Sequence, residues 1–187
     1  MRIVVGLAGS SSPIYGIRTL EALHAAGVET HLIISDGARR TLPIEARRSV
    51  EEIEALASVV HDNHDLAATV SSGSFRTDGM IIAPCSMKTL AAIAYSFSAD
   101  LLVRAADVCL KERRKLVLVP RETPLHLGHL RNMTRASEMG AIILPPMPAF
   151  YHQPKTVDDI INQTVGKILD QFAIEHHLFR RWGSSEA

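Results

Sequence analysis

The chain has 187 residues, 47% hydrophobic and 21% charged, with 11 Gly and 9 Pro. This is the composition of a folded globular protein, and it excludes disordered, collagenous and low-complexity classes. Lys plus Arg equals Asp plus Glu at 20 each, so no overall field is available to hold nucleic acid or an anionic membrane, and local charge must do any anion binding.

A chain of this length buries about 70% of its unfolded surface and holds a core without disulfides or a structural metal. One domain over 1–187 is the simplest division. The two cysteines, Cys85 and Cys109, lie in apolar runs without a C-x-x-C spacing, as expected of reduced, buried thiols in a cytoplasmic protein.

The first apolar run, residues 3–8, is shorter than the ~7–15 residues of a signal-peptide core and reads as a strand. It leads through Gly9, Ser10, Ser11 and Ser12 to Pro13, which opens a helix over 14–26. Backbone N–H groups and hydroxyls at a helix N-terminus favour an anion. The alternative is a serine-rich turn that only caps the helix. Gly6 and Gly9 do not have the G-x-G-x-x-G spacing, and the second strand, 31–34, ends in Ser35-Asp36 without a clear ribose acid, so a nicotinamide dinucleotide is not expected.

A helix is predicted over 50–57. The segment His61-Asp62-Asn63-His64-Asp65 has metal-binding residue types but no complete ligand set, and the same holds for His126 and His129; no metal is expected. The third strand, 80–83, runs into Ala83-Pro84-Cys85-Ser86-Met87-Lys88-Thr89, which places a strand end, a turn with two hydroxyls, a cation and a helix over 88–94 together. A mononucleotide phosphate or a flavin edge fits such a turn. Lys88, Asp100 and Arg104 keep this region from the roughly 18 apolar residues of a membrane helix.

A helix over 101–114 precedes the fourth strand, 116–119, which ends in Pro120-Arg121-Glu122. Residues 104–122 carry six cations and three acids. Arg104, Asp107 and Lys111 share a helix face by spacing, whereas Arg113 and Arg114 are read as solvated. That face is either a salt-bridged surface or one wall of an anion pocket; spacing leaves both open. A helix over 127–139, a strand over 141–144 and a helix over 157–172 follow, and residues 175–187 read as a C-terminal tail or arm. Trp182 is too large an apolar group to stand without a partner. Regular alternation of strand and helix predicts an α/β fold: a central parallel sheet with helices on both faces and ligands at the carboxyl ends of the strands.

Four segments together resemble one family, the flavin prenyltransferases of UbiX/Pad type: SGSFRTDGM from Ser72, APCSMKTLAAIA from Ala83, RAADVCLKERRKLVLVPRE from Arg104 and PPMPAFYHQP from Pro145. The resemblance covers nearly the whole chain. It implies a Rossmann-like, flavodoxin-like three-layer fold and a dodecamer with FMN at subunit interfaces. The implied reaction moves a dimethylallyl group from dimethylallyl monophosphate to N5 and C6 of reduced FMN, making prenylated FMN for a UbiD-type decarboxylase.

By the same resemblance, Gly9, Ser10, Ser11, Ser35, Ser86, Met87, Lys88, Thr89 and Arg121 meet FMN. Arg104, Lys111, Glu122, Tyr151, Lys167 and Trp182 meet the prenyl donor, and Glu45, Lys111, Glu122 and Tyr151 carry the chemistry. Cations would stabilise the departing phosphate in place of a divalent metal, a carboxylate or the phosphate would take the proton, and aromatic faces would stabilise the allyl cation. Two positions depart from the family: Ser12 followed by Pro13 where glycine is usual, and Lys167 where arginine is frequent. The rival readings are a flavin-dependent cysteine decarboxylase, disfavoured by Lys111, Glu122 and Tyr151, and a non-catalytic FMN carrier subunit.

Overall fold

A computed structural model describes residues 1–183; the end of the expected tail, 184–187, lies outside the described residues. Six strands form one all-parallel sheet: β1 (Arg2–Leu7), β2 (Glu29–Ile34), β3 (Val59–His61), β4 (Gly79–Cys85), β5 (Lys115–Pro120) and β6 (Ile142–Ile143). Their spatial order is β3-β2-β1-β4-β5-β6, so the chain reverses its direction of winding between β1 and β4. In such a sheet the crevice for a ligand opens beyond the carboxyl ends of the strands at that reversal.

Seven α-helices cover the sheet: α1 (Ile14–Ala25), α2 (Asp36–Glu45), α3 (Val50–Glu54), α4 (Met87–Ala94), α5 (Leu101–Lys111), α6 (Leu127–Glu138) and α7 (Val157–Asp170). Side chains alternate across each strand and so feed two cores. Ile3, Val5, Leu7, Ile81, Ala83, Val117 and Val119 face Ile17, Leu20, Val165 and Ile168 of α1 and α7. Val4, Met80, Ile82, Leu116 and Leu118 face Leu90, Leu102, Ala106 and Ala136 of α4, α5 and α6. Strands buried on both faces read as continuous apolar runs, and this is why they were legible in sequence.

Two elements were not anticipated. The edge strand β3 spans three residues, and its Val59 and Val60 are exposed, so it has no buried apolar run. Helix α2 begins Asp-Gly, contains Pro43 and buries only Ala38 and Leu42, so its amphipathic stripe is two residues long. Elsewhere β2, β4, β5 and α4 extend beyond their expected bounds, and other elements end short of them. The helix expected over 101–114 stops at Lys111, because Arg113 takes a positive φ of 57°. The helices over 50–57 and 157–172 stop at Glu54 and Asp170, and the strand over 141–144 is reduced to Ile142–Ile143.

Arg114 is not solvated. Its guanidinium donates to the carbonyls of Phe75 at 2.8 Å and Gly73 at 2.6 Å. From the other side Arg2 donates to the Arg76 carbonyl at 3.1 Å and lies 4.7 Å over the Phe75 ring. Arg2 is itself held by Glu29 at 2.8 Å, and Glu29 also meets the buried His31 at 3.0 Å. The Arg2 hydrogen bond first, and that of His31 second, bring the Glu29 carboxyl from 4.5 down to about 2. The irregular segment 72–78 has carbonyls that no strand satisfies, and these two arginines satisfy them. The segment is thereby fixed at the amino edge of the sheet, opposite the crevice.

Helix α1 crosses the sheet at Gly16, where a Cβ would lie 2.0 Å from the Ala83 carbonyl oxygen and 2.4 Å from Leu7 Cδ2. The carbonyl belongs to strand backbone and cannot step aside. Gly16→Ala is expected to destabilise the fold by about 3 kcal/mol, the upper end for overpacking, measured as a lower midpoint in chemical denaturation.

Candidate functional site

The loops after β1, β2, β4 and β5 meet at the carboxyl edge of the sheet. Between them opens a cavity of about 660 Å³, lined by Gly9, Ser35, Asp36, Gly37, Ser86, Met87, Lys88, Thr89 and Glu122, with Asn63, Phe97, Asp100 and Val103 closing its far side. That volume holds a mononucleotide-sized ligand.

Two helices start at this cavity. Ser35 caps α2 by accepting from the Ala38 N–H at 3.2 Å, and Ser86 caps α4 by accepting from the Thr89 N–H at 3.2 Å while donating to Thr89 Oγ1 at 3.0 Å. First-turn N–H groups have no acceptor within their own helix, and Gly37, Met87 and Lys88 of those first turns line the cavity. Two positive helix ends and the Lys88 ammonium thus surround a space suited to a phosphate. Helix α5 also starts here, but its amides are taken. Asn63 accepts from Leu101 and Leu102, and Asp100 accepts from Val103.

Gly9 makes the close approach possible. A Cβ there would lie 2.7 Å from the Gly37 carbonyl carbon, so only glycine lets the first loop rest against the start of α2. The next residues are tied from both sides. Ser10 Oγ donates to the Arg121 carbonyl at 2.9 Å, and one Glu45 oxygen accepts from Ser11 Oγ and from the Ser12 N–H, each at 2.9 Å. Ser12 is held at a φ of 70°, in the left-handed region that favours glycine. The loops after β1, β2 and β5 are thereby joined, and Glu45 is brought to the serines from the far end of α2.

The remaining expected residues lie elsewhere on this chain. Arg104 turns away from the cavity, donating to the Ser71 carbonyl at 3.1 Å and pairing with Asp107 at 2.6 Å. Lys111 lies eight residues beyond Val103 on the same helix, about 12 Å along its axis, and pairs with Glu112 instead of sharing the Arg104–Asp107 pair. Both face the 71–74 segment, Arg104 at Ser71 and Lys111 at Gly73, where a Cβ would meet the Lys111 and Glu112 side chains. Tyr151 and Trp182 stand together edge to face at 5.9 Å, giving Trp182 the partner its size requires. Lys167 is in the last turn of α7 and contacts Asp170 at 3.4 Å. One chain therefore gathers the residues expected to meet FMN, with Glu45 and Glu122, at the carboxyl edge of the sheet, although Ser10, Ser11, Glu45 and Arg121 stand outside the cavity lining, and it distributes Arg104, Lys111, Tyr151, Lys167 and Trp182 over two other surfaces.

Sequence reasoning missed Asn63 and Phe97. Asn63 is buried and caps α5; it was weighed only as part of a metal motif. Phe97 is 69% exposed at the cavity, and an aromatic residue in a Ser-rich loop just after α4 was the available signal. His61 of the discounted cluster stacks on His31, with a 2.8 Å contact between ring nitrogens, and His64 pairs with Asp36 at 3.0 Å. Among the described residues no helix is long and apolar enough to cross a membrane.

A family profile described as Flavoprotein matches residues 1–169. The flavin prenyltransferase UbiX of Thauera aromatica is 63% identical over 186 residues, covering 100% of this chain and 96% of that protein. The crystal structure of AnUbiX (PadA1) in complex with FMN and dimethylallyl pyrophosphate superimposes with a TM-score of 0.96 at 51% identity, covering 99% of this chain and 98% of the other. A dodecameric FMN-dependent UbiX-like decarboxylase from Escherichia coli O157:H7 superimposes at 0.95 with 52% identity, covering 98% and 100%. With a full-length match at this identity and the expected flavodoxin-like α/β fold in place, the chain belongs to the flavin prenyltransferases of the flavoprotein family.

Proposed function

We propose that this protein transfers the dimethylallyl group of dimethylallyl monophosphate to reduced FMN, forming bonds to N5 and C6 and releasing phosphate, and that the prenylated FMN serves a UbiD-type decarboxylase. The observation that carries the reading is the cavity walled by Gly9, Ser35, Ser86, Met87, Lys88, Thr89 and Glu122 in a chain 63% identical to a flavin prenyltransferase. The residues fit FMN: two helix N-termini and a lysine for its phosphate, and a glycine-to-glycine contact that leaves room above the first loop. Bound there, reduced FMN supplies the nucleophilic nitrogen and carbon.

The chain's own groups do the rest. Gly9, Ser10 and Ser11 position the flavin, and Arg121, tied to Ser10 through its carbonyl, adds charge at the same loop. Glu45, fixed by Ser11 and Ser12, and Glu122 accept protons released from the flavin, as does the departing phosphate. As the allylic C–O bond breaks, charge grows on the phosphate, and Lys111, Arg104, Lys167 and the Tyr151 hydroxyl stabilise it. Trp182 and Phe97 offer aromatic faces to the allyl cation.

Because Arg104 and Lys111 leave the cavity along α5, and Tyr151, Lys167 and Trp182 lie on a third surface, a complete site requires more than one copy of the chain. The dodecameric relative supports such an assembly. We read 1–187 as a single domain with 175–187 as an arm, working in the cytoplasm. The retained donor-binding residues favour an enzyme over a carrier subunit, and the identity to flavin prenyltransferases favours this chemistry over cysteine decarboxylation.

Anaerobic incubation with reduced FMN and dimethylallyl monophosphate is expected to add one C5H8 unit to the flavin, read by mass spectrometry. Glu122→Gln should keep FMN and lose this product; unchanged turnover would remove Glu122 from the chemistry, and bound but unmodified flavin in the unaltered protein would favour the carrier. Mixed oligomers reassembled from Lys111→Ala and Glu122→Gln chains should recover part of the activity that each lacks alone, because some sites then draw both residues from intact chains. Absence of recovery would place both residues in one chain's site. Ser12→Gly should relieve left-handed strain, raising stability by about 0.5–1 kcal/mol after the entropic cost of glycine, with a higher Tm and FMN binding retained.

A further inference from the structure

Helix α7 ends at Asp170, and the chain then doubles back over it. The Asp170 carboxylate, 18% exposed, gathers three donors. Oδ1 accepts from Arg181 Nη2 at 2.7 Å and from His176 Nε2 at 3.1 Å, and Oδ2 accepts from Arg181 Nη1 at 3.2 Å and Lys167 Nζ at 3.4 Å. Burial pushes this carboxyl up, but the Arg181 and His176 hydrogen bonds outweigh burial and hold it below its ordinary value. The Arg181 contact is two-pronged, a geometry that fixes direction as well as distance.

The returning segment is also fixed by shape. The Phe179 ring lies against Gly166, where a Cβ would come within 2.5 Å of it. From Phe179 a series of ring contacts leads to His152 at 6.4 Å, Tyr151 at 5.5 Å and Trp182 at 5.9 Å. Neither ring nitrogen of the buried His152 imidazole has a hydrogen-bond partner among the described residues, so ring packing holds this series together. Trp182 is 83% exposed and follows Arg181 directly. The Arg181–Asp170 pair and the edge-to-face contact with Tyr151 both bear on its place.

We propose that Asp170 is a positioning residue for prenyl transfer: one carboxylate fixes Lys167 on α7 and, through Arg181 and His176, the arm that carries Trp182. The inference rests on the reading of Tyr151, Lys167 and Trp182 as donor-binding residues. Without the carboxylate, Lys167 and Arg181 lose the anion that both of them contact, so the cation meant for the phosphate and the aromatic meant for the allyl group lose their common reference together.

Trp182 is the single tryptophan in the chain, so intrinsic fluorescence reports on the arm alone. In the FMN-loaded full-length protein, Asp170→Asn should leave flavin content unchanged, lower the fluorescence anisotropy of Trp182, and raise KM for dimethylallyl monophosphate about ten-fold, the size of a lost charged hydrogen bond. Asp170→Glu should return KM most of the way. Should Asp170→Asn fail to fold, Arg181→Gln on the exposed arm gives the same pattern with a rise of about three-fold. Unchanged Trp182 anisotropy overturns the proposal, as does lower anisotropy with unchanged KM and kcat. Tyr151→Phe and Trp182→Ala separate the two readings. Wild-type kinetics in both variants would defeat the donor-binding assignment and the proposal with it; impaired kinetics in both, with wild-type kinetics in Asp170→Asn, would leave that assignment standing and defeat Asp170 alone.

Discussion

All six strands point the same way, and the rest of the molecule follows from this. Parallel strands demand crossovers, so every strand-to-helix loop falls at one edge of the sheet and every helix on the return path begins there. The edge collects helix N-termini, with their unpaired N–H groups and positive ends, whatever the loop sequences are. The loops then decide what is bound: Gly9 against Gly37 for close approach, Ser35 and Ser86 as caps that leave other first-turn amides to a ligand, and Lys88 for charge.

The same geometry limits a single chain. A helix that begins at the cavity must leave it, so α5, whose first turn lines the cavity through Val103, carries Lys111 about 12 Å away toward the opposite edge. There it meets the 72–78 segment, held by Arg2 and Arg114. In the proposed reaction, Arg104 and Lys111 are consequently on a surface that serves another copy of the chain. Keeping them apart until assembly also spares the monomer a cluster of like charges.

The arm after α7 solves a different difficulty. A large aromatic side chain close to a terminus has little chain on one side to hold it, and exposed side chains pay entropy to be ordered. Here a bidentate arginine one residue away and a run of ring contacts supply the constraint. Asp170 is mostly buried and triply contacted, so its charge is compensated where it is used. Lys167 is a flexible point charge and gains most from such a neighbour.

The sequence by itself determined the α/β class, five of the strands and the loops that would hold a ligand, because strand burial writes continuous apolar runs and helix starts write Gly, Ser and Pro. It did not disclose β3 or α2, whose buried content is too small to leave a pattern, nor Arg114, whose role depends on carbonyls 39 and 41 residues away, a separation no local pattern encodes. Glu45, Lys111 and Trp182 were named through family motifs. Only the tertiary structure decided that Glu45 reaches Ser11 while Lys111 and Trp182 lie away from the cavity, and that Asp170 joins α7 to the arm. Periodicity records which face of an element is buried; which distant groups then meet depends on how the elements cross.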